Sequence, residues 1–495
     1  MNPVTQGLEA LADPTVLLCM VIGLGIGLLV GLFPGLTISM AVALATSFTL
    51  TLEPAQGLAM LLSIYVAAQY GDRIPSILVN TPGTPAAVAT TLDGYPMAKK
   101  GQAGLALSVS AIATTVGILL SMVVFVFLAQ PIARLALRFG PYEMFALVVF
   151  GLTVIISIAA RSVAKGIFAG LLGLALATIG LDPITADARF TFGSQELTGG
   201  LDFIALIIGL FGITEVLDQI LSYRAHKVRA ISSLGRWWPT RGELKQIARP
   251  MGLSGLLGVV IGIVPAAGGD IAGLIGWNRA KAISKHPEEF GQGSIEGLVG
   301  SDTASSSTLG GALTTTLSLG IPGDSVMAIM LGSMVIWGIQ PGPTLFEKRP
   351  DMIITIATIM VVATLVATVV SLVRNQGMTK LLDLRPQWIW GIILVFCIVG
   401  TYATTNNVMT AAQMLLFGVL GLALRRVGMP AGPVVLGFLL GPMAEANLRR
   451  AMLIGDLTGF ITHPIAAVLL VLGTGSLVLP VVRELRARRK AAAAG

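Results

Sequence analysis

The chain has 495 residues, of which 54% are hydrophobic and 12% are charged, and its mean hydropathy is +0.85. Soluble domains carry about 25% charged residues, so the composition excludes a soluble globular protein and predicts an all-α polytopic membrane protein. The formal net charge of +7 does not indicate nucleic-acid binding, because the basic residues collect at the ends of apolar segments. The two cysteines, Cys19 and Cys397, show no metal-like spacing, and neither a metal nor a cofactor is expected.

Apolar runs of the length that crosses a bilayer core of ~30 Å follow one another from residue 14 onward. In the first part of the chain they lie at 14–33, 36–52, 54–71, 74–92, 104–130, 144–160, 166–181 and 203–222. In the second part they lie at 250–269, 303–323, 325–346, 352–373, twice within 386–424, 427–444 and 457–482. We predict about 11–12 transmembrane spans, with some of the helices discontinuous. Shorter polar segments are interpreted as a turn at 93–96, a loop at 182–202 and a turn at 404–407.

Basic residues set the expected orientation. Residues 223–249 hold seven Lys or Arg against the single acid Glu243, which predicts a cytoplasmic linker by the positive-inside rule. This linker separates a first membrane half at 14–222 from a second half at 250–482. The tail at 483–495 is also basic, so the C-terminus is expected in the cytoplasm. The first 13 residues hold no Lys or Arg, so the chain is expected to keep its N-terminus.

Two Pro-Gly stretches interrupt the apolar sequence, the first break at 80–85 and the second break at 320–324. Proline lacks an amide donor and glycine tolerates left-handed backbone, so each stretch is expected to end a helix. The freed backbone groups survive at membrane depth only when they are buried in protein or line a cavity. A Gly-x-x-Pro stretch precedes each break, at 31–34 and 262–265, which predicts an internal repeat. The second copy is entered from the basic linker and the first is not, so the repeat is expected to be inverted.

Each break is predicted to contribute to one binding site. A helix N-terminus that points into a cavity attracts an anion, because its free N–H groups carry about half a positive charge. The residues expected to bind substrate are Asn80, Thr81, Pro82, Gly83, Thr84, Gly320, Ile321, Pro322, Gly323 and Asp324. Thr84 is interpreted as a helix N-cap before Pro85, and Asp324 or Ser325 as the N-cap of the second restart. Oxygens expected to hold a coupling cation come from Pro34, Gly35, Asp302 and Ser305.

Charged residues inside apolar sequence are functional hypotheses by default. Asp72 and Arg73 are adjacent, so a local ion pair and a role in recognising substrate charge are both open. Asp270 and Asp302 are open to cation coordination, proton carriage or helix capping. No nucleophile with a placed base and no carboxylate pair is apparent, so catalytic residues and enzyme activity are not expected. A channel for small anions and, less favoured, a membrane-embedded enzyme are the alternatives to a carrier.

Residues 81–104 closely resemble the signature of the large membrane subunit of tripartite tricarboxylate transporters, the TctA family, and further matches lie at 31–35, 284–291, 320–323 and 338–343. The resemblance implies a permease that imports organic di- or tricarboxylates across the bacterial inner membrane without ATP. It implies a sodium or proton gradient as the driving force and an elevator-like movement of one helix bundle. The implied partners are a small four-span membrane subunit, TctB-like, and a periplasmic solute-binding protein, TctC-like.

The chain departs from the family pattern at three places close to the expected site. Residues 265–268 read Pro-Ala-Ala-Gly where the pattern has Pro-Gly-x-Gly. Residues 301–307 read Ser-Asp-Thr-Ala-Ser-Ser-Ser where an acid followed by Ala-Ala-Asn-Asn is typical. Asp72 and Arg73 replace small residues. These departures bear on the substrate and on the coupling ion, sodium or protons, which the sequence leaves open.

Overall fold

The computed structural model describes residues 11–33, 35–159, 162–182, 185–222, 234–265, 268–378 and 386–478. Within these ranges the chain is almost entirely helical, with one two-stranded antiparallel sheet that pairs Gly180–Leu181 with Ala188–Arg189. This confirms the prediction of an all-α protein. The basic tail at 483–495, and residues 223–233 of the basic linker, lie outside the described residues.

The helices follow one another along the chain. The first eight are α1 Pro14–Leu32, α2 Ile38–Thr49, α3 Pro54–Gly71, α4 Arg73–Leu78, α5 Val88–Lys99, α6 Ala103–Ala136, α7 Pro141–Ala159 and α8 Val163–Ala177. The next six are α9 Phe203–Ile207, α10 Thr214–Ser222, α11 Arg241–Ile263, α12 Gly268–Ile283, α13 Ile295–Leu319 and α14 Ser325–Ile336. The last seven are α15 Leu345–Lys348, α16 Pro350–Met378, α17 Pro386–Thr405, α18 Val408–Arg426, α19 Ala431–Ile454, α20 Gly459–Thr462 and α21 Pro464–Val478. Short 3₁₀ turns cover Pro85–Ala87 and Pro287–Glu289, and a π-helix covers Ile208–Ile213.

Long apolar helices confirm the polytopic membrane character. In the described ranges, seven helical segments are long and apolar enough to cross a membrane. They are Pro14–Leu32, Ala103–Ala136, Phe203–Leu221, Arg241–Ile263, Pro350–Val373, Val408–Arg426 and Ala431–Ile454. Shorter apolar helices such as α2 and α14 lie beside the predicted breaks, as expected of discontinuous helices.

The chain divides into two compact units. The first unit is formed by residues 1–133 and 211–404, and the second by residues 134–210 and 405–495. Both candidate breaks belong to the first unit. Each unit takes chain from both sides of the basic linker, so these units differ from the predicted repeat halves at 14–222 and 250–482. The opposite orientation of those halves stays a prediction.

In the first unit, small residues bring α1 against α3. A Cβ atom added at Gly23, Gly27 or Gly31 would lie within 2.4–2.6 Å of a backbone oxygen of α3. Helix α11 approaches α13 in the same way, since a Cβ atom at Gly258 would lie 2.1 Å from the Ala304 oxygen. Glycine at regular helical spacing allows this close approach in membranes, where lipid offers no competing hydrophobic force. In both parts of the predicted repeat, the helix before the Gly-x-x-Pro stretch therefore packs against a helix that leads toward the Pro-Gly break.

In the second unit, α19 packs against α7 and α8. A Cβ atom at Gly173 of α8 would lie 2.0 Å from the Val434 oxygen, so this contact is also made through glycine. The predicted loop at 182–202 is confirmed as a connection between α8 and α9 that carries the short sheet. Arg189 in this connection lies 2.8 Å from Glu445 of α19, which ties the loop to the helix.

Two predicted turns have different outcomes. The turn at 404–407 is confirmed, because α17 ends at Thr405 and the Asn407 side chain caps α18 by accepting from the Met409 amide at 2.8 Å. The turn at 93–96 is wrong, because α5 continues through Pro96 to Lys99. Buried tertiary contacts of Asp93, described below, hold this segment helical despite the missing proline donor.

Candidate substrate and ion site

The first break lies between α4 and α5. Helix α4 ends at Leu78, and Asn80 follows with a left-handed φ of 57° and an exposed side chain. The Thr81 amide donates to the Pro75 carbonyl at 3.3 Å, and Thr81 and Pro82 are half-buried. Asn tolerates left-handed backbone better than most residues, so Asn80 both ends the helix and presents an amide to the accessible side.

Thr84 stands at the N-cap position before Pro85, as predicted, with an extended backbone. Its hydroxyl does not cap the restart, however. It donates instead to Asp72 Oδ2 at 2.5 Å, and the 3₁₀ turn at Pro85–Ala87 has no side-chain cap. The N–H groups of this restart are therefore left without the usual side-chain acceptor.

Gly83 is buried and faces protein. A Cβ atom at Gly83 would lie 2.5 Å from the Gly31 oxygen and 2.9 Å from Asp72 Cβ. The glycine therefore lets the first break dock against the ends of α1 and α3. Its contribution to the site is close packing behind the break.

The second break begins at Gly320, which has a left-handed φ of 72° and donates to the Thr316 carbonyl at 3.0 Å. The Gly323 amide donates to Thr316 Oγ1 at 3.2 Å, and residues 320–323 are all buried. Asp324 caps α14, because its Oδ1 accepts from the Met327 amide at 2.8 Å. The predicted cap is confirmed, and the second restart already holds a carboxylate.

Side chains tie the second break to the first part of the chain. Tyr65 of α3 donates its hydroxyl to Asp324 Oδ2, and Ser325 shares a hydrogen bond of 2.7 Å with Ser39 of α2. Tyr65 is 3% exposed, so this contact is made in the interior. The structure thus places Asp324 and Ser325 against α3 and α2. Helix α3 leads directly to Asp72, which contacts the first break through Thr84.

Both breaks meet around the second half of α3. Tyr65, which contacts Asp324, and Asp72, which contacts Thr84, are two helical turns apart, or about 10 Å along the axis. Asp270 in the first turn of α12 has an exposed side chain and lies within electrostatic range of both Asp72 and Asp324. The structure therefore brings the two breaks together around one helix and one accessible carboxylate.

A buried charge cluster lies directly behind the first break. The guanidinium of Arg73 lies 3.4 Å from Asp72 Oδ1 and 3.5 Å from Asp302 Oδ1, and all three side chains are at most 3% exposed. Arg73 also donates to Gln69 and to Ser305, each at 3.3 Å. The local ion pair that the sequence left open is thus present, and it extends to Asp302 on α13.

Hydroxyl groups surround Asp302. Thr90 of α5 donates to one carboxylate oxygen, Ser110 of α6 donates to the other, and Ser301 lies at 3.3 Å. Arg73 contacts both Asp302 and Ser305, and so supplies a fixed positive charge where the sequence analysis expects a bound cation. The cation role of these two residues stays a prediction.

The remaining cation candidates lie elsewhere. Gly35, with a φ of 93°, sits so close to the Gln219 side chain that an added Cβ atom would lie 1.9 Å from its amide nitrogen. Pro34 is outside the described residues. A cavity of about 390 Å³ in the same unit is lined by Glu53, Leu58 and Arg349 among others, and includes none of the predicted residues.

Asp93 is a buried carboxylate that sequence reasoning missed. It accepts from the amides of Gly291, Gly293 and Ser294 at 2.8–2.9 Å and from Trp277 Nε1 at 2.7 Å. Gly291 and Gly293 have positive φ values of 85° and 107°, which turn successive amides toward one point. The glycine-rich stretch at 291–294 was the available signal, and Asp93 uses it to hold α5 against the start of α13.

An all-α polytopic membrane protein whose interrupted helices converge on an accessible site with buried charges belongs to the class of membrane transport proteins. The particular family is shown by sequence comparison. The chain belongs to the Tripartite tricarboxylate transporter TctA family, whose model matches residues 17–436.

Two relatives come from Agrobacterium vitis. An uncharacterized 52.8 kDa protein of the TAR-I ttuC' 3' region is 36% identical over 443 residues, which cover 89% of this chain and 88% of the relative. An uncharacterized protein of the TAR-II ttuC' 3' region is 35% identical over 234 residues, which cover 47% of this chain and 97% of the relative. No solved structure matches the chain.

Proposed function

We propose that the chain is the large permease subunit of a binding-protein-dependent secondary transporter that imports organic di- or tricarboxylates across the bacterial inner membrane. Family membership supports a transport role, and the site supports an anionic substrate. The driving force in this proposal is a sodium or proton gradient. The C-terminus lies in the cytoplasm.

One observation carries the substrate assignment. Thr84 directs its hydroxyl to Asp72, so the helix restart at Pro85 has no side-chain cap while the Asn80 side chain beside it is exposed. Pro85 has no N–H, and the Ala87 and Val88 amides donate to the Thr84 and Pro85 carbonyls. The positive end of the helix dipole therefore favours an anion at this restart. A substrate carboxylate would lie at this helix start and accept a hydrogen bond from the exposed Asn80 side-chain amide.

The charges around the site support coupling to a cation. The guanidinium of Arg73 lies within 3.5 Å of the carboxylates of Asp72 and Asp302, and the further carboxylates of Asp270 and Asp324 add negative charge within electrostatic range of one another. An organic anion entering this region is repelled unless positive charge enters with it. Co-binding of a cation removes this repulsion and links substrate uptake to the ion gradient.

The proposal includes two partners, in keeping with a tripartite system. A small four-span membrane subunit completes the membrane complex, and a periplasmic solute-binding protein delivers the carboxylate. The substrate crosses chemically unchanged, so the permease is not an enzyme.

Uptake by proteoliposomes tests this function. The full complex is reconstituted, a delivery protein and labelled di- or tricarboxylates are supplied, and sodium and pH gradients are imposed separately. We expect saturable uptake of unchanged substrate with one of the two gradients, and accelerated exchange when unlabelled substrate is trapped inside. Uptake that does not saturate and shows no exchange acceleration would identify a channel, and chemically altered substrate would identify an enzyme.

A further inference from the structure

We propose that the buried cluster of Asp72, Arg73 and Asp302 is the coupling site, that the coupling ion is a proton, and that Asp72 binds it. This inference rests on the proposed function and deepens it, because it names one ion and one residue.

The charge count gives the first reason. With both carboxylates ionised, the cluster carries two negative charges against the single guanidinium of Arg73, and all three side chains are at most 3% exposed. An uncompensated charge in such a setting is costly, because the interior solvates it poorly. One proton on either carboxylate makes the cluster neutral.

The geometry favours a proton over a metal ion. A metal cation needs several oxygen ligands at once, but the guanidinium lies within 3.5 Å of both carboxylates and would repel it. The oxygens of Asp302 are also engaged by the hydroxyls of Thr90 and Ser110. A proton needs only one lone pair and no rearrangement of these groups.

Of the two acids, Asp72 has the carboxylate oxygen that no hydrogen-bond donor occupies. Both oxygens of Asp302 already accept a hydrogen bond, one from the Thr90 hydroxyl and the other from the Ser110 hydroxyl. Asp72 accepts from Thr84 on Oδ2 only, and its buried Oδ1 has no hydrogen-bond partner beyond the ion pair at 3.4 Å. The charged groups within electrostatic range of Asp72 are Arg73 on α4, Asp302 on α13 and Asp270 on α12, two acids against one base.

A small cavity of mixed lining, with Ile74, Leu107 and Ala111 among its apolar residues, adjoins the cluster and gives a reason that does not depend on the charge count. It is wide enough for about one water molecule and is lined by Arg73, Tyr70, Thr114 and Ser371. The Thr114 and Ser371 hydroxyls and two nitrogens of Arg73 are buried without a hydrogen-bond partner. Such a set of groups fits a water that relays a proton to the cluster.

The cluster is in direct contact with the first break. Thr84 donates to Asp72, and Gly83 packs directly on Asp72. An anion at the break is repelled by an ionised cluster and not by a neutral one, so proton and substrate each favour the binding of the other. In one cycle a proton from the outer aqueous phase bonds to Asp72 Oδ1, crosses with the carboxylate and is released inside, and no other bond changes.

Proton flux in proteoliposomes of the full complex tests the inference. A pH-sensitive dye trapped inside reports protons, and labelled carboxylate reports substrate. With the wild type we expect internal acidification on substrate addition and accumulation driven by a pH gradient without sodium. For Asp72→Asn, which holds the cluster neutral, we expect proton-driven accumulation to fall about tenfold or more and substrate exchange to lose its dependence on pH.

Asp351→Asn is the matched control, because Asp351 pairs with Arg349 at 3.2 Å in an exposed ion pair outside the cluster. It should leave proton flux and the pH profile unchanged. Wild-type accumulation on a sodium gradient alone, without acidification, would overturn the proton assignment and leave the proposed function intact. Asp72→Asn that still accumulates substrate with proton influx would overturn the role of Asp72. A wild type without saturable exchange would instead refute the proposed function.

Discussion

The first and second breaks share a Pro-Gly core but differ in the residue that follows it. In the first break, Thr84 turns its hydroxyl away to Asp72, and the restart at Pro85 has no side-chain cap. In the second break, Asp324 caps α14 and also accepts from Tyr65. The same interruption of a helix therefore leaves one restart without a side-chain cap and caps the other with a carboxylate of the protein.

The glycine of each break, Gly83 or Gly323, packs closely against a neighbouring helix. Added Cβ atoms at Gly83 and at Gly323 would lie 2.5 Å from the Gly31 oxygen and from Ala312 Cα, respectively. Both glycines face other helices, so the Pro-Gly core provides close packing in each break. The two breaks differ in the side chain that follows the Pro-Gly pair, Thr84 in the first and Asp324 in the second. Substitutions of these residues and of their partners can test this difference.

The largest expected effect concerns the charge cluster that lies behind the first break. Arg73→Met leaves Asp72 and Asp302 buried without their cation, and we expect a loss of about 3–5 kcal/mol in stability. Thermal unfolding in detergent measures it. Arg349→Met removes an exposed pair with Asp351 and should cost about 0–1 kcal/mol. Equal losses for the two variants would contradict a buried cluster.

An intermediate effect is expected at the second cap. Asp324→Ala removes the cap of α14 and leaves the Tyr65 hydroxyl without its acceptor, so stability should fall by about 2 kcal/mol. Thr84→Val removes only the hydrogen bond to Asp72 and should cost about 1 kcal/mol. Thermal unfolding of both variants, measured together with substrate uptake, compares the contribution of each break to stability. If Thr84→Val proves the more damaging to stability, the contrast in capping is wrong.

The smallest effect on stability is expected at Asn80, where substrate binding should respond instead. Asn80→Gly keeps the left-handed backbone and removes the amide, so the KM for carboxylate should rise severalfold while the protein remains as stable. Asn80→Ala should add backbone strain of about 1 kcal/mol to the same change in KM. An unchanged KM in both variants would remove the Asn80 side chain from the substrate site.

Several features of the site were predictable from local chemistry. A Pro-Gly pair in apolar sequence favours the end of a helix, so both breaks and the Asp324 cap followed from residues 320–325 and 80–85 alone. The turn before α18 was predictable for the same reason, since Asn406 adopts a left-handed φ of 50° and Asn407 caps the next helix.

Other features depended on partners far away in sequence. Asp93 was misjudged as part of a turn because its acceptor role is completed by amides at residues 291–294. Thr84 was expected to cap a helix. Its hydroxyl instead donates to the buried carboxylate of Asp72, and a hydrogen bond to a charged acceptor is stronger than one to a neutral group. Neither outcome is visible in the spacing of the residues involved.

The sequence by itself determined that this is an all-α polytopic membrane protein and where its helices break, because hydropathy, proline and glycine act through local forces. The resemblance of residues 81–104 to a family signature indicated the transporter family. Only the tertiary structure decided that Arg73 lies between Asp72 and Asp302, and that the two breaks meet around α3. Buried charges need compensation from whichever helix lies nearest, and that neighbour is chosen by packing.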